Sequence, residues 1–371
     1  MRVDSVELEN FRNYSSLRAE FCPEVNVITG GNAQGKTNLL ESISFLTSAR
    51  SFRARSDREL IGFGCERAFV RAGIESGGRA QKLEIRMGTN SRKMIYANGA
   101  RLKNSAELSG RLMAVQFLPE DLYMVREGAA VRRRLMDQCL CQLRPAYAAA
   151  LTEFGRCYEQ KTRILRDRIE KPSLLDLLDE YNFRLCELSA TLIRYRARLM
   201  TALLPHAAEI HREFSGGETL GLVYRTVKTV SDPLGDVSDI FSQLMEHQRA
   251  HRQAELDSGL CLSGAHKDDI EITLNGNGAK EFASQGQART AALSIKLAER
   301  ELYRIDRGEY PVLLLDDVLS ELDERRQSFI LNRIRGGQIF ITCCDGGHTA
   351  ELMGGRIFHI ENGKIIDGGN C

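Results

Sequence analysis

The chain has no tryptophan and only seven prolines in 371 residues. It also has no excess of one charge: 51 Lys and Arg stand against 50 Asp and Glu. A uniformly basic or acidic coat is therefore excluded, although local basic patches are not. No apolar run reaches the roughly 18–20 residues that a membrane-spanning helix needs. Met1-Arg2-Val3-Asp4 leads into an alternating polar segment with no apolar leader, so a soluble, cytoplasmic chain without a membrane partner is expected. Ten cysteines are present, but not at zinc-site spacing: Cys139 and Cys141 are separated by one residue, and Cys343 and Cys344 are adjacent. They are expected to be reduced thiols, mostly buried as small apolar residues. No internal repeat or low-complexity tract appears.

What is present is a mixed pattern that changes near Pro119. Before it, alternation over residues 3–8, 68–74, 82–87 and 93–97 predicts strands, and Asn98-Gly99 is a hairpin turn signal. Residues 24–29 predict a strand that runs into glycines. The helix over 37–46 follows from the apolar spacing of Leu39, Leu40, Ile43 and Leu46. From Asp121 to Leu203 strand patterns almost vanish. Leu178, Tyr181, Leu185, Leu188, Leu192, Tyr195 and Leu199 step by three and four, a heptad stripe over about three heptads. A looser stripe runs from Leu151 to Ile169, and Pro172-Ser173 breaks the two into a helical hairpin. A bundle core would also explain the stripe; strict register favours an antiparallel coiled-coil arm. Strands return over 220–227, 270–274, 312–315 and 338–342, and a helix over 288–302.

Gly30-Gly31-Asn32-Ala33-Gln34-Gly35-Lys36-Thr37 fits G-x-x-x-x-G-K-[ST] at every fixed position. Such a loop curls so that backbone N–H groups face phosphate oxygens, and the following helix adds its N-terminal partial charge. Lys36 would reach the β- and γ-phosphates of a nucleoside triphosphate, ATP above all, and the Thr37 hydroxyl would ligate Mg²⁺. Val312-Leu313-Leu314-Leu315-Asp316-Asp317 is an apolar strand ending in carboxylates. Asp316 is expected to hold Mg²⁺, and Asp317 to polarise the attacking water. Ser284-Gln285-Gly286-Gln287 opens a helix and forms a second phosphate-binding start. One nucleotide is not gripped by two such starts in a single head. A homodimer, with Ser284 and Gly286 of one copy at the γ-phosphate held by the other, is the economical solution.

This order of motifs, closed by Ser320-Glu321-Leu322-Asp323, resembles the ABC-type ATPase heads of the SMC and Rad50 class. Further blocks resemble the RecF family of bacterial recombination and repair proteins. They are Leu8-Glu9-Asn10-Phe11-Arg12-Asn13-Tyr14, Thr47-Ser48-Ala49-Arg50-Ser51-Phe52-Arg53, Gln116-Phe117-Leu118-Pro119-Glu120-Asp121-Leu122, Arg132-Arg133-Arg134-Leu135-Met136-Asp137 and Gly264-Ala265-His266-Lys267-Asp268-Asp269. The resemblance covers nearly the whole chain.

It implies an α/β head of mixed parallel and antiparallel sheet, split by an inserted helical, coiled-coil-like arm. The implied divisions are 1–118, 119–261 for the arm, and 262–371. It also implies nucleotide contacts at Gly30 through Asn38, at Arg12 and at Gln287, and an Mg²⁺-linked catalytic role for Gln116. The implied activity is an ATP-switched DNA-binding dimer with weak, DNA-stimulated ATPase. Its implied substrates are single-stranded DNA and gapped duplex, and its partners RecR and RecO in loading recombinase. A transporter ATPase subunit and another DNA-bridging SMC-like protein are the rival readings. The heptad arm argues against the first, and the RecF-like blocks against the second.

Two departures favour slow hydrolysis. Phe340-Ile341-Thr342-Cys343-Cys344-Asp345 occupies the place of the usual switch histidine, and His348 follows too late. Asp317 stands where many heads carry glutamate. Three basic clusters are candidates for phosphate neutralisation. Arg50, Arg53 and Arg55 are expected to face DNA. Arg194, Arg196 and Arg198 are expected to lie on a solvated helix face, and Arg132, Arg133 and Arg134 remain open. His266 is expected to be structural or nucleotide-linked.

Overall fold

The computed structural model describes residues 1–343 and 355–368. Cys344, Asp345 and His348 lie outside the described residues. In chain order the first elements are β1 (Arg2–Phe11), β2 (Tyr14–Glu20), β3 (Val25–Thr29), α1 (Lys36–Ser48), β4 (Arg67–Ser76), β5 (Arg79–Gly88), β6 (Ser91–Ala97), β7 (Ala100–Arg101) and β8 (Ala114–Phe117). There follow α2 (Ala129–Leu143), α3 (Pro145–Asp167), α4 (Leu178–Ser215), β9 (Leu220–Arg225), α5 (Val237–Ser258), β10 (Asp269–Leu274), β11 (Asn277–Gly278) and α6 (Ala279–Phe282). The chain closes with α7 (Gln285–Arg307), β12 (Val312–Asp316), α8 (Glu324–Arg333), β13 (Ile339–Cys343), β14 (Arg356–Glu361) and β15 (Lys364–Gly368).

These form two compact units, Met1–Tyr123 with Ala292–Cys371, and Met124–Ala291. The second unit begins near the expected arm start but runs past residue 261. The reason is hydrogen bonding: β10 pairs along its whole length with β9 and so stays with the helical unit.

The first unit has two sheets. One is antiparallel, in the order β2-β1-β4-β5-β6-β7, and β6 and β7 meet through the Asn98-Gly99 turn. The other runs β15-β14-β3-β13-β12-β8. Its inner pairs, β14–β3, β3–β13, β13–β12 and β12–β8, are parallel, and β15 joins antiparallel at the edge. Strands 312–316 and 339–343 are almost wholly buried, as continuous apolar runs in parallel sheets should be. The edge strands β2, β8 and β15, and β14 beside β15, were not among the expected strands. Helix α1 packs against β1, β4 and β5 of the antiparallel sheet and β8, β12 and β13 of the parallel one. Even Ser42, Ser44 and Thr47 are buried on it, and the first two turn their hydroxyls toward neighbours: Ser42 donates to Leu39 O at 2.7 Å and Ser44 receives the Gln116 amide. The P-loop helix is therefore the filling of a two-sheet sandwich.

In the second unit α3 and α4 pack as the expected hairpin, with a 3-10 turn at Pro172–Leu177 between them. The stripe on α4 is wider than a heptad seam. Leu185, Leu188, Leu192 and Leu199 are buried, but so are Cys186, Ala190, Ile193 and Ala197, while Tyr181 and Tyr195 are half-buried. The cause is that α4 packs against α2, α3, α5 and β9 rather than one partner helix.

The third basic cluster is not a solvated face. Arg196 is 2% exposed and donates to Asp268 Oδ2 at 2.7 Å, Asp137 Oδ1 at 2.8 Å and Ala265 O at 2.7 Å. Asp268 is itself fully buried and also receives Thr226 at 2.7 Å and Tyr224 at 2.5 Å. Arg132 likewise pairs with Asp269 at 2.6 Å and with the Met124 and Glu127 carbonyls, and Arg133 meets Asp268 O. Only Arg134 and Arg198 of these two clusters are exposed. Among the described residues seven cysteines are thiols outside any disulfide, as expected, five of them buried; Cys22, against that expectation, is disulfide-bonded.

Removing one member of a buried ion pair strands the other. Arg196→Ala is therefore expected to cost about 3–5 kcal/mol, because Asp268 is left fully buried without its cation. Denaturant unfolding followed by helix signal checks this. A loss under about 1 kcal/mol, the scale of an exposed pair, would contradict the burial.

Candidate functional site: a P-loop cleft

The strand β3 ends at Thr29 and α1 starts at Lys36, so the glycine loop lies between a buried strand and a buried helix. Gly35 has φ 120°, and a Cβ there would lie 2.8–3.0 Å from the Asn13 and Tyr14 side chains. Ala33 has φ 63°, a left-handed conformation that costs an alanine about 1–2 kcal/mol. Left-handed residues between right-handed ones turn successive N–H groups to one side, the geometry of an anion nest. No side chain caps the N-terminus of α1 and no acidic residue occupies its first turn, which leaves its partial positive charge facing the loop. Tyr14 OH donates to Gly35 O at 2.9 Å, and Asn13 Nδ2 to Gln34 O at 2.9 Å. Burial pushes the Tyr14 phenol up, so it stays a donor.

A cleft of 330 Å³ opens over this loop, lined by residues 31–38, Arg53, Asp316, Asp317 and Thr342. Lys36 Nζ donates to Gly30 O at 2.6 Å and Gly31 O at 3.0 Å, holding its ammonium at the cleft floor. Asp316, the last residue of β12, is 6% exposed. Its Oδ1 receives Thr37 Oγ1 at 2.9 Å and Thr342 Oγ1 at 2.8 Å. Burial pushes the Asp316 carboxyl above the usual range; the two hydroxyl donors and the charge of Arg53 pull it back. Thr342 sits opposite Asp316 in the parallel register and also accepts from Asp317 N at 2.9 Å. Asp317 has φ 53° and lines the cleft, with Ser320 Oγ donating to its carbonyl at 2.7 Å.

Thr37 and Asp316 thus present two hard oxygen donors side by side. That set fits Mg²⁺, which is commonly held by one or two protein oxygens together with substrate phosphates. Among the described residues no group of three or more His, Cys, Asp or Glu forms an all-protein metal cage. The cleft can therefore take a phosphate chain and a hard divalent cation together.

Two expected contacts are not brought to the cleft. Arg12 spends Nε and Nη2 on Glu41, at 2.9 and 2.8 Å, and Nη1 on Glu59 O at 2.8 Å. The cause is Glu41, a fully buried carboxylate on α1 that needs a cation. Gln116 is buried on β8; its amide donates to Ser44 Oγ, and its Oε1 has no hydrogen-bond partner. Arg53 moves the other way. Expected on a DNA face, it lines the cleft and reaches Asn38 Oδ1 at 3.3 Å. Thr342 and Asn13 were not singled out. Their signal was positional: Thr342 is the penultimate residue of the strand after the carboxylate strand, and Asn13 sits in the turn before β2.

The signature segment lies in the second unit. Ser284 Oγ accepts from Gln287 N at 3.2 Å, and Gln287 Oε1 accepts from Ser284 N at 2.8 Å, a reciprocal capping box that starts α7. Gln287 Nε2 also reaches Glu218 Oε1 at 2.5 Å. Ser284 is exposed and Gly286 half-buried. His266 packs against Tyr158, with ring centroids 4.8 Å apart, and its Nε2 lies 2.9 Å from Cys261 O.

A P-loop helix between two sheets, a carboxylate strand beside it, and a capped helix start carrying Ser-x-Gly-Gln define an ABC-type P-loop ATPase head of the SMC class. Residues 2–362 match the family model of the RecF/RecN/SMC N terminal domain. The DNA replication and repair protein RecF of Acetivibrio thermocellus is 38% identical over 359 residues, covering 96% of each chain. A structure of the recombination mediator protein RecF-ATPrS in the RecFOR pathway superposes with TM-score 0.90 at 33% identity, covering 100% of this chain and 98% of that one. The Smc head domain of Pyrococcus furiosus, at 16% identity and TM-score 0.51 over 97% of this chain and 93% of that one, shares the fold alone. The chain belongs to the RecF family of DNA replication and repair proteins.

His266 gives a pH test of the helical unit. Burial lowers its pKa from 6.5 to about 4. Between these values the unfolded chain binds the proton and the folded chain does not, so stability falls as pH drops from 6.5 toward 4. His266→Gln is expected to flatten the fall in melting temperature between pH 7 and pH 5. An unchanged slope would place the acid sensitivity elsewhere.

Proposed function

We propose that the chain binds ATP with Mg²⁺ in the P-loop cleft and uses it to switch a DNA-binding homodimer in recombinational repair and replication restart. The observation that carries this is the sharing of Asp316 Oδ1 between Thr37 and Thr342 at the mouth of a glycine loop. The family assignment and the RecF-ATP and RecF-ATPrS forms of its relatives support the choice of nucleotide.

In this reading the 31–35 backbone and Lys36 hold the β- and γ-phosphates, and Thr37 and Asp316 hold Mg²⁺, which screens phosphate charge when bound. Arg53 adds a second positive charge at the open side. Asp317 orients water, whose oxygen bonds to the γ-phosphorus as the bond from that phosphorus to the β–γ bridging oxygen breaks; the water's proton passes to solvent, and inorganic phosphate and ADP leave. An aspartate reaches less far than a glutamate, which suits slow, weak hydrolysis stimulated by DNA. Ser284 and Gly286 of one copy close on the γ-phosphate of the other, so ATP holds the dimer and hydrolysis releases it. Gln116 joins only after leaving Ser44. Single-stranded or gapped duplex DNA is the substrate, and RecR and RecO are the partners in loading recombinase. The structural relatives, recombination mediators of the RecFOR pathway, support that set. No helix among the described residues is long and apolar enough to cross a membrane.

Dimerisation and DNA binding are measured together with ATP, with ADP and without nucleotide. Both are expected with ATP only; monomers that ignore DNA under every condition would overturn the reading. Lys36→Arg keeps the charge but changes its geometry, and loss of DNA-dependent hydrolysis is expected.

Arg53→Ala separates two roles for that residue. As a nucleotide contact, its loss weakens ATP binding about tenfold, the size of one charge-assisted bond. As a DNA contact, its loss leaves ATP affinity alone and lowers the slope of log affinity against log salt by about 0.9.

A further inference from the structure

The turn between β14 and β15 lies on the P-loop, although it is remote from it in sequence. Glu361 pairs with Lys364, and Asn362 and Gly363 between them have φ 49° and 70°, a tight two-residue hairpin turn. Both turn N–H groups donate to one P-loop residue. Asn362 N reaches Gln34 Oε1 at 2.6 Å, and Gly363 N reaches Gln34 O at 3.1 Å. On the other side, Asn13 Nδ2 donates to the same Gln34 carbonyl at 2.9 Å, and Asn13 Oδ1 accepts from Asn38 Nδ2 at 2.8 Å. The packing leaves no slack: a Cβ on Gly363 would lie 2.5 Å from Asn13 O, and one on Gly30 would lie 2.3 Å from Ile360 O.

We propose that Asn362 and Gly363 are positioning residues for nucleotide binding, and that the Gln34 side chain and carbonyl serve as their receiver while its backbone N–H stays with the phosphate nest. The physical reason is the loop's own conformation. A nest with Ala33 and Gly35 at positive φ is strained and relaxes unless neighbours fix it. Gln34 lies between those two residues. Holding its carbonyl from two hairpins, and its side chain from one, keeps the N–H groups pointed at a phosphate before the phosphate arrives. The inference rests on the proposed ATP reading for its ligand, but its geometry does not.

The test uses the full chain with Gly363→Asn and Gln34→Ala. Asparagine tolerates positive φ, so Gly363→Asn isolates the clash with Asn13 O. Gln34→Ala removes the acceptor of Asn362 N, together with the 3.5 Å contact of Gln34 Nε2 with Asn32 O. Both are expected to weaken ATP and ADP binding about tenfold each, with the loss in KM and not in kcat. Amide hydrogen exchange without nucleotide should speed up over residues 30–37 and stay unchanged in β12 and β13.

Parent-like affinity and exchange in Gly363→Asn would overturn the proposal. Exchange that speeds up throughout the parallel sheet would also overturn it, since the turn would then be a general stabiliser. If the parent chain binds no ATP, the ATP reading fails by itself, and exchange over 30–37 still decides whether the turn holds the loop.

Discussion

One carboxylate oxygen ties the first unit together at its functional edge. Asp316 Oδ1 takes a hydroxyl from α1, through Thr37, and another from β13, through Thr342. Three elements that are far apart in the chain meet on that atom. A buried carboxylate would drift toward protonation without such donors, and with them it remains a ligand for a hard cation. Thr342 has a double duty, because it also accepts from Asp317 N. The one hydroxyl therefore fixes both acidic residues of the pair, and with them the direction in which Asp317 faces the cleft.

That arrangement depends on α1 being buried on every side. A helix between two sheets cannot shift to accommodate a ligand, so the loop before it must already have the right shape. The strain of the loop is met locally, by Tyr14 on Gly35 O and by two hairpins on Gln34 O. Glu41 and Arg12 belong to the same economy. Glu41 lies fully buried on α1, and Arg12 and Ser51 satisfy it, so the helix and the turns around it are locked as one piece.

The sequence made the loop and its strand legible because glycine spacing and a wholly apolar run ending in Asp316 are local signals. It made the helical hairpin legible through Pro172 and the α4 stripe. It misled where a charge had a buried partner. Arg196 and Arg132 look like exposed basic residues in the chain, yet Asp268 and Asp269 hold them, and those partners lie far away in sequence. Arg12 is likewise held by a buried partner, Glu41 on α1. Arg53 shows the converse: a residue assigned to DNA by its cluster lines the cleft because α1 ends at Ser48 and the following turn folds back over Asn38. The strands β2, β8, β14 and β15, at or next to sheet edges, were missed because short strands gain their stability from neighbours, not from their own pattern.

The two phosphate-binding starts differ in a way that bears on their proposed roles. The α1 start has no side-chain cap, so its charge is open to a ligand within the same chain. The α7 start is already capped, Ser284 with Gln287 in both directions. A capped start gives up one of its donors, so it suits a contact made last and released first. In the proposed dimer the uncapped loop would keep the nucleotide, while the capped one would engage only when the γ-phosphate offers more than Gln287 already supplies. In that proposed dimer, loss of the phosphate on hydrolysis would return Ser284 to its cap at little cost, and the asymmetry between the two helix starts would make the seam, and not the P-loop, the part that opens.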